Sequence, residues 1–314
     1  MTQKMPKNIV VWTLPRSGST HLQFRISRGQ YDLTENPRTR NMGEAIGIGG
    51  MFRNYWGVSY EINFGDVFSD SADISIMNHI HWHIGREHNN LTTTNHNGNP
   101  LDEIKNRTDI IRNGTWSNPI VVKNMRWSRE SDHPEKLNAL FDRAFIESSG
   151  EEFYHIVLWR KSPQELLASR IAMGIARKSH GEIEWAGNKF NFSNKDLKQV
   201  FADVSRRHFS DFIASSKQLP FDKTILIETN AIDTISSLEW PDGTILPLPG
   251  KETLITKHGG SCTYIHKESG KKVKPIDMMS PKTMQIINLI AAEAEKSSWS
   301  TLDTALGFKR YSTS

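Results

Sequence analysis

Cysteine is almost absent from this chain: Cys262 is the only one in 314 residues. A single thiol cannot close an intramolecular disulfide, which excludes a disulfide-stapled fold and points to a reducing compartment. Long apolar runs are missing too, since no stretch approaches the ~20 consecutive apolar residues of a membrane-spanning helix. Met1-Thr-Gln-Lys4 runs straight into an apolar strand, so no signal peptide is expected. Charge of one sign is also scarce. The formal net charge is only +4, which suits a local anion site better than the broad basic face of a nucleic-acid-binding protein. Hydrophobic residues make up 37%, so much of the chain should be polar loop. A chain of this length still buries a sizeable core as one α/β domain with insertions.

Against these absences the opening stands out: Asn8-Ile-Val-Val-Trp-Thr-Leu-Pro-Arg-Ser-Gly-Ser-Thr-His-Leu22. An apolar β-branched run passes into a short Pro/Ser/Gly loop and then into a segment that can start a helix. That order builds a phosphate cradle: Gly18 allows a tight turn, and the N–H groups of Gly18, Ser19 and Thr20 can converge on one anion at the positive end of the helix. Arg16 adds a cation. A Walker A loop would place Lys directly after its last Gly and another Gly five positions earlier. Here those positions hold Ser19 and Thr13, so the loop suits a 5′-phosphate ester better than Mg-ATP. A plain strand–turn–helix with a Ser-rich cap is the competing reading.

Leu14-Pro-Arg-Ser-Gly-Ser-Thr-His-Leu22 resembles the 5′-phosphosulfate-binding loop of the sulfotransferases, which use 3′-phosphoadenosine-5′-phosphosulfate (PAPS). The resemblance implies that Arg16, Ser17, Gly18, Ser19, Thr20 and His21 hold that end of PAPS. A second junction follows the family's order. Phe153-Tyr-His-Ile-Val-Leu-Trp159 reads as a buried strand, and Arg160-Lys-Ser-Pro-Gln-Glu-Leu-Leu-Ala-Ser169 follows it. Ser162 suits an N-cap and Pro163 the first helical position. By resemblance, Arg160 and Ser169 bind the 3′-phosphate, with Arg170 beside them. A guanidinium at a strand's carboxyl end matches a dianionic phosphate.

A third match lies in Gly259–Asp277, read as an irregular hairpin closed by a basic turn. It is similar to the nucleotide-covering loop of carbohydrate-modifying sulfotransferases, and implies that Gly270, Lys271 and Lys272 cover the nucleotide. Lys271 stands where that loop usually has Arg. A solvated basic turn is the alternative. Animal Golgi members of the family carry a membrane anchor that this chain lacks, so a cytoplasmic location is expected.

Strand and helix signals alternate, which predicts a mostly parallel sheet with helices on both faces. Strands are expected over about 7–14, 119–123, 153–159 and 224–228, the last being the final parallel strand. Helices are expected over about 19–29, 134–146, 194–218 and, as the final one, 281–297. Residues 89–118 are rich in Asn, Thr and Gly and read as a polar insertion or long loop. The expected architecture is a single three-layer αβα domain over 1–314, resembling the P-loop nucleotide hydrolases.

Sulfonyl transfer develops negative charge on the leaving phosphate oxygen and on the SO3 group, so it needs cations there and a base for the acceptor's proton. Arg16 is the leaving-group cation on this reading. Lys123, after Ile-Val-Val, resembles the Lys of tyrosylprotein and related sulfotransferases. The base is less determined: Glu44 occupies a place comparable to the Glu of the tyrosylprotein and heparan-type enzymes. Glu35 competes with it, although a turn-cap role suits Glu35. His79, His81 and His83 would share one face of a strand. No Cys/His pairing supports zinc, and the family needs no metal, so His81 or His83 is a reserve base. The acceptor is a hydroxyl or amine compound, possible classes including carbohydrates. Two other readings stay open: another P-loop enzyme such as a small-molecule kinase, and a non-catalytic nucleotide- or glycan-binding module.

Overall fold

The computed structural model describes residues 6, 8–14, 16–26, 40–41, 120–125, 153–176, 182–191, 206–248 and 263–313. Six strands form one sheet: β1 (Asn8–Thr13), β2 (Arg40–Asn41), β3 (Ile120–Met125), β4 (Phe153–Trp159), β6 (Thr224–Glu228) and β11 (Lys309–Tyr311). Their order is β11-β6-β4-β1-β3-β2, and every pairing is parallel. The protein is therefore an α/β fold on a parallel central sheet. From β1 the chain runs out to β2, returns to β3, then crosses to β4 on the other side of β1. That reversal makes the carboxyl end of β1 the switch point, the place where open α/β sheets hold ligands.

Burial on both faces explains why β1 and β4 read as nearly unbroken apolar runs. Along β1, Ile9 and Val11 join one core while Val10 and Trp12 join the other. In β4, Tyr154, Ile156 and Leu158 face the first core and Phe153, Val157 and Trp159 the second. The first core is covered by α1 (Ser19–Ile26) and by a hairpin of β7 (Ser237–Glu239) and β8 (Ile245–Pro247). The second is covered by α2 (Pro163–Ala176), α3 (Arg206–Ser216), α4 (Pro281–Glu295) and α5 (Leu302–Leu306). A smaller sheet adds β5 (Glu182–Trp185), β9 (Thr263–His266) and β10 (Lys272–Val273). Among the described residues, no helix is long and apolar enough to cross a membrane.

The structure corrects several expected boundaries. β3 continues to Met125, because Asn124 and Met125 still pair with Trp12 and Thr13 of β1. The parallel sheet does not end at β6, since β11 adds a strand beside it. α4 is not the last helix, because α5 follows. Of the expected helix over 194–218, α3 is the described part; the expected helix over 134–146 and the polar insertion over 89–118 lie outside the described residues.

One polar residue interrupts β4. His155 is fully buried, and Trp12 Nε1 donates to its Nδ1 at 3.0 Å. Burial, with a smaller contribution from the Lys223 charge, pushes the imidazole down to about 3. Protonation would place a second donor on Nδ1, facing the indole N–H, and break the bond. The folded value lies below the unfolded one, so the unfolded chain binds more protons and stability is lost as pH falls below about 6.5. This site alone should make the protein roughly 2 kcal/mol less stable at pH 5 than at pH 7. Urea unfolding at the two pH values should show a smaller difference for His155→Asn, which keeps an acceptor but does not titrate. An equal difference in the two proteins would assign the acid sensitivity elsewhere.

Candidate functional site

The loop between β1 and α1 departs from ordinary backbone geometry at two residues. Gly18 has φ +84° and Arg16 has φ +73°. A left-handed arginine costs about 1–3 kcal/mol, and such conformations persist where the surroundings over-determine them. At Gly18 a side chain would be both strained and crowded, because an added Cβ would lie 3.1 Å from Ile232 Cδ1 and 3.3 Å from Thr229 Cγ2. The Leu22 N–H donates to Gly18 O at 3.0 Å and opens the helix. The N–H groups of Ser19, Thr20 and His21 then have no intrahelical acceptor, which leaves a donor cluster at the positive end of α1.

The second junction stands beside the first because β1 and β4 are neighbours, with Thr13 level with Leu158. The Ser162 hydroxyl caps α2 by accepting from Glu165 N at 3.2 Å, and Pro163 is the first helical residue, as the sequence predicts. Two turns into α2, buried Ser169 accepts a bond from Arg16 Nε at 3.4 Å. The loop and the helix, 153 residues apart, thus meet through two predicted site residues.

Arg160 completes the group. Burial, the largest influence, pushes its guanidinium down from the usual arginine value; Glu165 opposes the shift and the charge of Arg16 adds to it. Two arginines that feel each other's charge are held at adjacent strand ends. Among the described residues, buried Arg160 Nε and Ser17 Oγ have no hydrogen-bond partner. Orphaned buried donors are costly, and an anion between the arginines would relieve both their repulsion and that cost. A cleft of about 360 Å³ opens beside Arg160, walled by 160–165, 228–230, Glu295 at the end of α4 and Ser300 in the turn after it.

Other predicted residues stand further out or are otherwise engaged. His21 Nε2 lies 2.6 Å from Asp233 Oδ1, which ties its ring to the segment after β6. Gly270 (φ +63°), Lys271 and Lys272 are exposed on the hairpin that joins β9 to β10. The base of that hairpin is anchored, through Tyr264 and Val273, against the core that also holds Leu166 and Leu167 of α2. Lys123 lies level with Val11, two residues before the end of β3. Glu35, Glu44, His79, His81 and His83 lie outside the described residues. Glu228 is committed to an ion pair with Arg310, whose Nη2 lies 3.1 Å away.

Two residues of the site gave no sequence signal. Trp299 Nε1 donates to Arg160 O at 3.0 Å, and Thr229 Oγ1 donates to both Ser17 O and Trp159 O. They fix the backbone on either side of Arg160. Comparison with protein-family models, curated proteins and solved structures returns no match.

Proposed function

We propose that this chain is a PAPS-dependent sulfotransferase of P-loop-like, three-layer αβα architecture, acting in the cytoplasm on a hydroxyl or amine acceptor, carbohydrates among the candidates. The observation that carries this reading is the meeting of Arg16, Ser169 and Arg160 at the carboxyl ends of β1 and β4. One bisphosphorylated adenosine would satisfy both groups of donors. Its 5′-phosphosulfate would lie on the loop 16–21, and its 3′-phosphate would take the fork of Arg160 and the Ser169 hydroxyl. Gly270, Lys271 and Lys272 would close over it from the hairpin.

In the reaction, the acceptor oxygen attacks sulfur in line with the bond to the 5′-phosphate. The new S–O bond forms as the old one breaks, and its electron pair stays on the phosphate oxygen of 3′,5′-ADP. Arg16 neutralises that oxygen, Lys123 is the second cation, and the Glu44 carboxylate takes the acceptor's proton. No metal is needed in this scheme.

Thermal unfolding tests the reading directly. At 100 times its dissociation constant, 3′,5′-ADP without metal should raise Tm by about 5 °C, and Mg-ATP should raise it far less. A preference for Mg-ATP would favour a kinase. Binding of 3′,5′-ADP without transfer of radiolabelled sulfate to any acceptor would favour a non-catalytic module.

A further inference from the structure

One hydroxyl ties together the three strand tips that frame the site. Thr229 follows β6 directly, and its Oγ1 lies 2.7 Å from Ser17 O and 3.1 Å from Trp159 O. A hydroxyl carries one proton, so the two carbonyls share it in a three-centre bond. In a trans peptide the carbonyl of one residue and the N–H of the next point in opposite directions. Holding the Ser17 carbonyl therefore turns the Gly18 N–H away from Thr229. Holding the Trp159 carbonyl does the same to the N–H of Arg160. The Ser17 peptide lies beyond the end of β1, where the strand ladder no longer orients it, whereas the Trp159 peptide is also held by the pairing of Trp159 with Glu228. The methyl group of the same threonine closes against Gly18.

We infer that Thr229 is a positioning residue whose hydroxyl sets the direction of the Gly18 N–H group and ties that loop to the end of β4, so that the loop faces the ligand. The identity of that ligand rests on the sulfotransferase reading; the positioning itself does not.

The experiment compares Thr229→Val, Thr229→Ser and Thr224→Val with the unaltered full chain. Binding of 3′,5′-ADP is measured by calorimetry, and amide hydrogen exchange is followed without ligand. Thr229→Val should bind about 10-fold more weakly, and its peptide over residues 12–19 should exchange about five-fold faster. Thr229→Ser should stay within about two-fold of the unaltered protein in both readouts. Thr224 donates to Pro220 O at 2.6 Å at the far end of the same strand. Its valine variant loses a comparable bond, and should lower stability without moving binding or loop exchange. A Thr229→Val protein that exchanges like the unaltered chain overturns the inference, as does a serine variant no better than the valine one. Equal loosening in Thr224→Val overturns it too. If the unaltered protein binds no 3′,5′-ADP, the sulfotransferase reading falls, and the exchange data alone decide the role of Thr229.

Discussion

Arg160→Ala is expected to weaken 3′,5′-ADP binding about 100-fold while leaving 5′-AMP within about three-fold. A charge-assisted bond to phosphate contributes about 1.5–3 kcal/mol, and each 1.4 kcal/mol is about ten-fold in affinity. The selectivity follows from position: Arg160 begins the segment after β4, whereas the loop 16–21 follows β1. In the proposed binding mode the 5′-phosphate occupies the loop 16–21 and it is the 3′-phosphate that takes Arg160. Arg160→Lys should fall between, since it keeps the charge but loses the fork. The ligand-free alanine variant supplies a control. It removes a guanidinium that Arg16 repels and a buried Nε with no described partner, so its urea midpoint should not drop. Equal losses for the two nucleotides, measured by calorimetry, would remove Arg160 from the 3′-phosphate.

That arrangement was partly legible because local chemistry announces it. β4 is buried at all seven positions, so its residues carry a continuous apolar signal, and Ser162-Pro163 marks the helix start with two independent preferences. Arg16 and Arg160 are conspicuous as cations placed just beyond such strands. β11 gave no such signal. Lys309–Tyr311 is short and largely exposed, and it is a strand only because the edge of β6 is available to it. The end of β3 was missed for a related reason, since Asn124 and Met125 have no strand pattern of their own and pair because β1 lies alongside. Thr229 and Trp299 were the hardest to see. Their acceptors lie 212 and 139 residues away, at Ser17 and Arg160. Nothing near either residue in sequence encodes that partnership; it exists only once the sheet has assembled.

Glu44→Gln should reduce turnover about 1,000-fold and leave 3′,5′-ADP affinity within about two-fold, because positioned general bases contribute about 10²–10⁴ and the amide keeps the shape but cannot accept the proton. Two titratable groups among the described residues of the sheet are already engaged. Glu228 is paired with Arg310, and His155 is sealed inside the sheet with its Nδ1 occupied by Trp12. β2 is parallel to β3, so Asn41 ends a strand directed toward the sheet end that carries Arg16. The pH profile separates the candidates. A carboxylate base gives turnover that falls on the acid side near pH 4–5, whereas a histidine gives a fall near about 6.5. Normal turnover in Glu44→Gln with a limb near 6.5 would move the role to His81 or His83. Normal turnover with the acid limb unchanged would move it to Glu35.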